Sequence, residues 1–170
     1  FFCIKHANGG KIQSHQFFFE GFCTYFNPDL CQMIDIGSIP IEDSISKLTF
    51  YMDLDCNKNV GGAAGEIEVY QPEAEGENGS KPNCWDKFEN YTLFLTQYIE
   101  YKLSHFIDKA FEACFGFISV LPGAYSMFWW EAIKGDPLAS FFHGLDKSSH
   151  TPTEANMFLA EDRIMCLEIL

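Results

Sequence analysis

Positive charge is scarce in this chain: 11 lysines and arginines stand against 24 acids, a formal net charge of −13. Gripping a bare nucleic-acid backbone needs clustered cations, so nucleic acid is excluded as a partner. Docking on anionic lipid through a basic face is excluded for the same reason. A polyanionic substrate held through a metal is not. Paired cysteine spacings are also missing. The 7 cysteines are odd in number and no two form a C-x-x-C. That leaves neither a disulfide framework nor a structural zinc site, and the cysteines read as buried free thiols of a reducing compartment. No basic n-region or small-residue cleavage site opens the chain, so no signal peptide is expected. Residues 113–130 carry no charge, but Pro122-Gly123 breaks their centre. That stretch reads as a buried strand entering a turn, not as a membrane span.

What is present suits one globular domain. The chain has 170 residues, 47% hydrophobic and 21% charged, enough to bury a core without staples. Residues 1–4 read as a short strand. In 11–26, Ile12, Phe18, Phe19, Phe22 and Phe26 recur at helical intervals. A strand over 30–36 closes on Asp35-Ile36-Gly37, and Ile41, Ile45, Leu48 and Met52 mark a second helix. The loop Gly61-Gly62-Ala63-Ala64-Gly65 leads into an alternating strand, Glu66-Ile67-Glu68-Val69. An acidic loop insertion occupies about 71–85, a long helix 86–114, and a strand 117–121. An aromatic helix over 127–133, a polar loop over 134–153 and a last helix over 153–170 complete the chain. Strand–helix alternation of this kind predicts an α/β fold with a mostly parallel sheet flanked by helices.

In such sheets function gathers at strand carboxyl ends. Asp35-Ile36-Gly37, the 61–66 loop, Leu121-Pro122-Gly123-Ala124 and the helix-opening Glu161-Asp162-Arg163 are the candidates. Each alone has a bland reading. Asp35 suits a turn or cap. The glycine loop precedes a strand instead of linking strand to helix, so it fails as a dinucleotide cradle. Glu161 and Asp162 suit a helix start favoured by the dipole. His105 reads as a solvated or core residue, and His143, His150 and the Cys3/His6 pair lack ligand spacing.

The order and wording of six blocks say more. Lys11-Ile12-Gln13-Ser14-His15, Met33-Ile34-Asp35-Ile36-Gly37-Ser38-Ile39-Pro40 and Val60-Gly61-Gly62-Ala63-Ala64-Gly65-Glu66-Ile67 closely resemble the catalytic domain of chitin synthases. So do Gln97-Tyr98-Ile99-Glu100-Tyr101-Lys102 with Asp108-Lys109, Val120-Leu121-Pro122-Gly123-Ala124-Tyr125-Ser126, and Leu159-Ala160-Glu161-Asp162-Arg163-Ile164. The resemblance runs essentially from residue 2 to residue 167, interrupted by the acidic insertion.

That resemblance implies a partial A-type nucleotide-sugar glycosyltransferase fold and a processive, inverting transferase. The donor implied is UDP-N-acetylglucosamine, the acceptor a growing chitin oligomer, and the cofactor a divalent cation, Mg²⁺ or Mn²⁺. Asp35 matches the family's metal-site aspartate, with Gly37 where related transferases carry a second acid. Asp162 matches the general base, with Glu161 and Arg163 in support. Gly123 and Ala124 fall where donor sugar meets backbone, and Lys11, Ser14 and His15 near the donor. Gln16 stands where the family usually has Arg, Ser38-Ile39-Pro40 where it has Thr-Arg-Pro, and Phe128-Trp129-Trp130 where it often has Arg. The family's first uridine-binding strand, its Gln-x-x-Arg-Trp motif and its membrane helices have no counterpart in these residues. The expectation is therefore a fragment of a larger enzyme or a truncated paralogue, inactive by itself. The full-length protein is expected to be embedded in the plasma membrane with this domain on the cytoplasmic side. Its oligomeric state is left open. Another processive polysaccharide synthase and a non-catalytic binding or assembly fragment stay open as alternatives.

Overall fold

The computed structural model describes residues 2–7, 9–70, 84–142 and 161–169. They fall into two compact units, one formed by the residues up to Gly65 together with those from Ser119 onward, the other spanning Glu66–Ile118. Residues 71–83 of the loop expected over about 71–85, residues 143–153 of the polar loop, and the start of the last helix over 153–160 lie outside the described residues.

The first unit holds the sheet. Its first helical stretch begins as α1 (Lys11–Gln16), passes through a π-helical segment (Phe17–Cys23) and ends as α2 (Thr24–Phe26). Asn27, in the left-handed region at φ 47°, stops it, and Pro28 cannot resume it. Strand β1 (Leu30–Ile34), helix α3 (Ser44–Asp53) and strand β2 (Gly62–Ala64) follow. Strand β3 (Tyr125–Trp129) enters between β1 and β2 and pairs antiparallel with both. Hence β1 and β2 run in the same direction, as strand–helix–strand alternation requires, but they are not neighbours. The mostly parallel sheet expected from the alternation is, among the described residues, a three-stranded antiparallel one.

Two helical layers cover it. Cys31 and Met33 of β1 share a face with Phe128 and Ser126 of β3. The first helical stretch packs there, with Cys23 Sγ 3.6 Å from Cys31 Sγ. On the opposite face Met127 and Ala63 meet Met52 of α3, with Leu48 and Trp129 packed against them. Beyond β3 come α6 (Trp130–Ile133), α7 (Asp136–Phe142) and, after the second gap, α8 (Glu161–Glu168). Phe19, Ile133 and Phe141 are fully buried.

The second unit is helical. Helix α4 (Cys84–Leu103) continues through a π-helical segment (Ser104–Lys109) into α5 (Ala110–Cys114), close to the expected 86–114. Gly116, at φ 80°, accepts the left-handed turn that ends it.

Several expected elements differ. Residues 2–4, 66–69 and 117–121 are not strands. The Glu66/Glu68 alternation serves a charge pairing within the helical unit, described below. In 117–121 the Leu121 N–H turns to Cys166 Sγ at 3.2 Å instead of to a neighbouring strand. The aromatic run expected as helix from 127 is strand through Trp129, because four of its five residues are buried and so show no helical stripe. Asp136-Pro137 opens a helix, not a loop, since proline fits a first helical turn where no N–H partner is needed. Of the 7 cysteines, Cys23, Cys31 and Cys166 are buried free thiols, whereas Cys3, Cys56, Cys84 and Cys114 are exposed. Among the described residues no helix is long and apolar enough to cross a membrane.

Candidate active site

Asp35 directly follows β1 and Ala124 directly precedes β3, so the Ile34–Tyr125 register places both at the same end of the sheet. The Asp35 N–H donates to the Ala124 carbonyl at 3.2 Å, extending the ladder by one bond. The chain then turns, with the Ser38 N–H donating to the Asp35 carbonyl at 3.1 Å. Gly37 makes that turn at φ 99°. An aspartate at this position would be strained, which accounts for a single carboxylate here.

The turn before β3 closes by a bond from the Tyr125 N–H to the Pro122 carbonyl at 3.2 Å. It aims the Gly123 N–H at Asp162, whose Oδ2 accepts it at 2.8 Å. Asp162 is half-buried, on the second residue of α8. A Cβ built on Gly123 would lie 2.7 Å from Asp162 Oδ1 and 3.2 Å from Cγ. Only glycine lets the carboxylate reach that amide. The backbone groups of Gly123 and Ala124 thus link two acids that stand 127 positions apart in the chain.

Tyr125 anchors the same turn from below. Its hydroxyl donates to or accepts from Ser44 Oγ, 2.7 Å away, at the first residue of α3. Its carbonyl accepts from the Gly65 N–H at 3.2 Å. Sequence reasoning did not single out this Ser44–Tyr125 bond, and no spacing or motif signals it.

The other expected residues divide. Lys11 Nζ lies 3.4 Å from Asp35 Oδ1, with both side chains about two-fifths exposed. Ser14 Oγ accepts from Lys5 Nζ at 2.7 Å and donates to the Gly10 carbonyl at 3.1 Å. His15 stacks on Phe141, with ring centres 5.7 Å apart, and meets Phe19 edge-on. The structure thus brings Lys11, Asp35, Gly123, Ala124 and Asp162 into one bonded chain and places the His15 ring among core aromatics. Arg163 is exposed. Glu161 opens α8, but its side chain lies outside the described residues.

For a divalent cation Asp35 offers a single carboxylate at the end of β1. Among the described residues no group of three His, Cys, Asp or Glu side chains could hold a metal ion. A half-exposed carboxylate is a hard oxygen ligand, and a hard divalent cation there would have to take most of its ligands from outside the described side chains.

The glycine loop is no phosphate cradle. Gly62 lies against the Phe128 ring and Gly65 against the Tyr125 ring, each too close to admit a Cβ. A separate polar cluster occupies the helical unit. Lys102 Nζ pairs with Glu66 and, at 2.7 Å, with Glu68, under the rings of Tyr98 and Phe106. The hydrogen bond from Lys102 holds the Glu66 carboxyl below its ordinary range. The bond to Glu66 pushes the Lys102 ammonium up. In the core, burial raises both the Cys31 and the Cys23 thiols.

Comparison with known proteins adds the family. A chitin synthase-like glycosyltransferase domain matches residues 1–170. Chitin synthase 2 of Mycosarcoma maydis is 39% identical over 173 residues, covering 99% of this chain and 15% of that protein. Chitin synthase 1 of Saccharomyces cerevisiae is 40% identical over 171 residues, covering 99% and 14%. Chitin synthase C of Aspergillus oryzae is 40% identical over 179 residues, covering 99% and 18%. The chain therefore spans less than a fifth of the length of these relatives. With six motif blocks, a mixed α/β fold and a site at one sheet end all pointing the same way, the chain belongs to the chitin synthase-like glycosyltransferase domain family.

Proposed function

We propose that this domain is the catalytic core segment of a chitin synthase, built as part of an A-type nucleotide-sugar glycosyltransferase fold. It transfers N-acetylglucosamine from UDP-N-acetylglucosamine to the 4-hydroxyl of a growing β-1,4 chitin chain with inversion. The observation that carries this reading is the bond from the Gly123 amide to Asp162 Oδ2, at the sheet end where Asp35 is tied to Ala124. Inversion needs a base on the acceptor side, opposite the leaving group. Asp162, held by a backbone donor, takes the proton of the acceptor hydroxyl. The acceptor oxygen then bonds to the anomeric carbon as the carbon–oxygen bond to UDP breaks, with the electron pair leaving on the diphosphate. Asp35 would hold a divalent cation, Mg²⁺ or Mn²⁺, which when bound would neutralise charge on the departing diphosphate. Lys11 and Ser14 border the donor. The full-length protein is embedded in the plasma membrane, with this domain on the cytoplasmic side and the acceptor chain leaving through membrane helices.

The test pairs two substitutions in the full natural chain. Asp162→Asn keeps the shape and removes the basicity. Sugar incorporation should fall by at least about 10²-fold, while calorimetry finds UDP-sugar binding intact. Asp35→Asn should change the metal dependence of donor binding. If Asp162→Asn abolished donor binding while Asp35→Asn left metal dependence untouched, the two roles would be reversed.

A further inference from the structure

Ser44 carries a hydroxyl whose partner lies outside its own helix. Serine stabilises a helix start from the cap position, but here that position belongs to Asp43, and Ser44 is the first residue of α3. Asp43 stands in the left-handed region at φ 63° and makes no capping side-chain bond. A residue keeps that conformation only where its surroundings fix it. Helix stability therefore does not explain the Ser44 hydroxyl. It lies 2.7 Å from the hydroxyl of Tyr125, a buried residue 81 positions later at the start of β3.

Tyr125 is fixed at three further points. Its N–H donates to the Pro122 carbonyl and its carbonyl accepts from the Gly65 N–H, each at 3.2 Å. Its ring lies so close to Gly65 that a Cβ there would collide with it. These contacts hold the backbone and one edge of the ring; Ser44 holds the ring's far end. The turn anchored in this way carries the Gly123 N–H, which donates to Asp162 Oδ2 at 2.8 Å, and the Ala124 carbonyl, which accepts from the Asp35 N–H at 3.2 Å. A shift of Tyr125 is passed to both.

We propose that Ser44 is a positioning residue for the transfer step: by holding the Tyr125 hydroxyl it fixes the 122–125 turn, and with it the place where the Gly123 amide keeps the Asp162 carboxylate. This role rests on the reading of Asp162 as the base. Ser44 acts through Tyr125, so its loss should slow turnover and leave donor binding alone.

The test measures sugar incorporation against UDP-N-acetylglucosamine concentration in the full natural chain, with melting temperatures beside it. Ser44→Ala should lower kcat about 10-fold, short of the roughly 10²-fold of a full 1 Å misplacement, with KM for the donor unchanged. Ser44→Thr keeps the hydroxyl and should recover most of the lost turnover. Tyr125→Phe should reproduce the Ser44→Ala drop, and the double variant should fall no further, because the two residues act as one unit. Stability separates positioning from mere packing. Ser44→Ala strips the buried Tyr125 hydroxyl of this partner and lowers the melting temperature, whereas removing both hydroxyls restores it. The double variant should therefore regain stability and stay slow. If it regains turnover together with stability, or if Ser44→Thr falls as far as Ser44→Ala, the positioning role is wrong. If Asp162→Asn abolishes incorporation while Ser44→Ala matches the wild type, the role falls and the base reading stands. If Asp162→Asn leaves incorporation intact, both fall.

Discussion

The two units of this chain are built on different physics. Every buried core residue among those described, from Phe19 to Cys166, belongs to the unit that holds the sheet. Among its described residues the helical unit buries none. Trp85, Phe88, Phe106 and Phe111 on its helix are each more than half exposed, and its Glu66–Lys102–Glu68 cluster is a set of side-chain ion pairs facing solvent. In the sheet unit a backbone amide holds the Asp162 carboxylate inside a packed frame; in the helical unit Glu66 and Glu68 are held by a lysine side chain. The difference teaches where geometry is dictated and where it is only favoured.

The sharpest way to break this contrast is stability. Met52 is fully buried between the sheet and α3. Met52→Ala should lower the free energy of unfolding by about 2–5 kcal/mol in chemical denaturation. Phe88, 62% exposed on α4, should cost about 0.5 kcal/mol or less on change to Ala. Equal costs would sink the distinction. Next in size is Gly123→Ala, which forces the Asp162 carboxylate off its amide. A displacement of about 1 Å at a reacting group costs about 10²-fold in turnover, so sugar incorporation should drop by that order while the melting temperature changes little. Wild-type turnover in that variant would show that the amide contact is incidental.

The smallest effect belongs to the exposed cluster. The Glu66 carboxyl is lowered from its ordinary 4.5, so its contribution is present above that value and is lost as pH falls through the depressed one. The Lys102 ammonium is raised from its ordinary 10.5, so its contribution is present below that value and is lost as pH climbs through the raised one. Glu66→Gln should therefore flatten the acid edge of the melting curve against pH, below about 4.5, and shift the midpoint at neutral pH by no more than about 2 °C. A shift several times larger would mean that these ion pairs organise the unit.

How far the sequence discloses this molecule depends on which signal each segment carries. The 11–26 stretch, β1 and α3 were legible because one face of each is buried and the other wet, which writes a period into the residues. Tyr125–Trp129 was not, because it is central in the sheet and covered on both sides, so the period is erased. Glu66–Val69 misled in the opposite sense. Its alternation is that of a strand, yet the two glutamates share a side because both reach Lys102. At the site, the segments holding Asp35, Gly123 and Asp162 were candidates from their places at expected strand ends and a helix start, but only their motif blocks gave these residues roles. No composition or spacing announces that a glycine amide will meet a carboxylate 39 positions away. The pairing of Ser44 with Tyr125 depends on tertiary contact alone.

The position of β3 bears on how the molecule comes to be made. β1 and β2 leave the ribosome first, yet neither pairs with the other, and both wait for a strand that begins only at residue 125. Closing that long intervening loop is the slow, entropically costly event of folding. Until it happens Asp35 has no Ala124 carbonyl to hold its backbone. Synthesis of the nascent chain thus sets the order of assembly: the acid at β1 is made early, its register is fixed late, and Asp162 joins last, as α8 emerges.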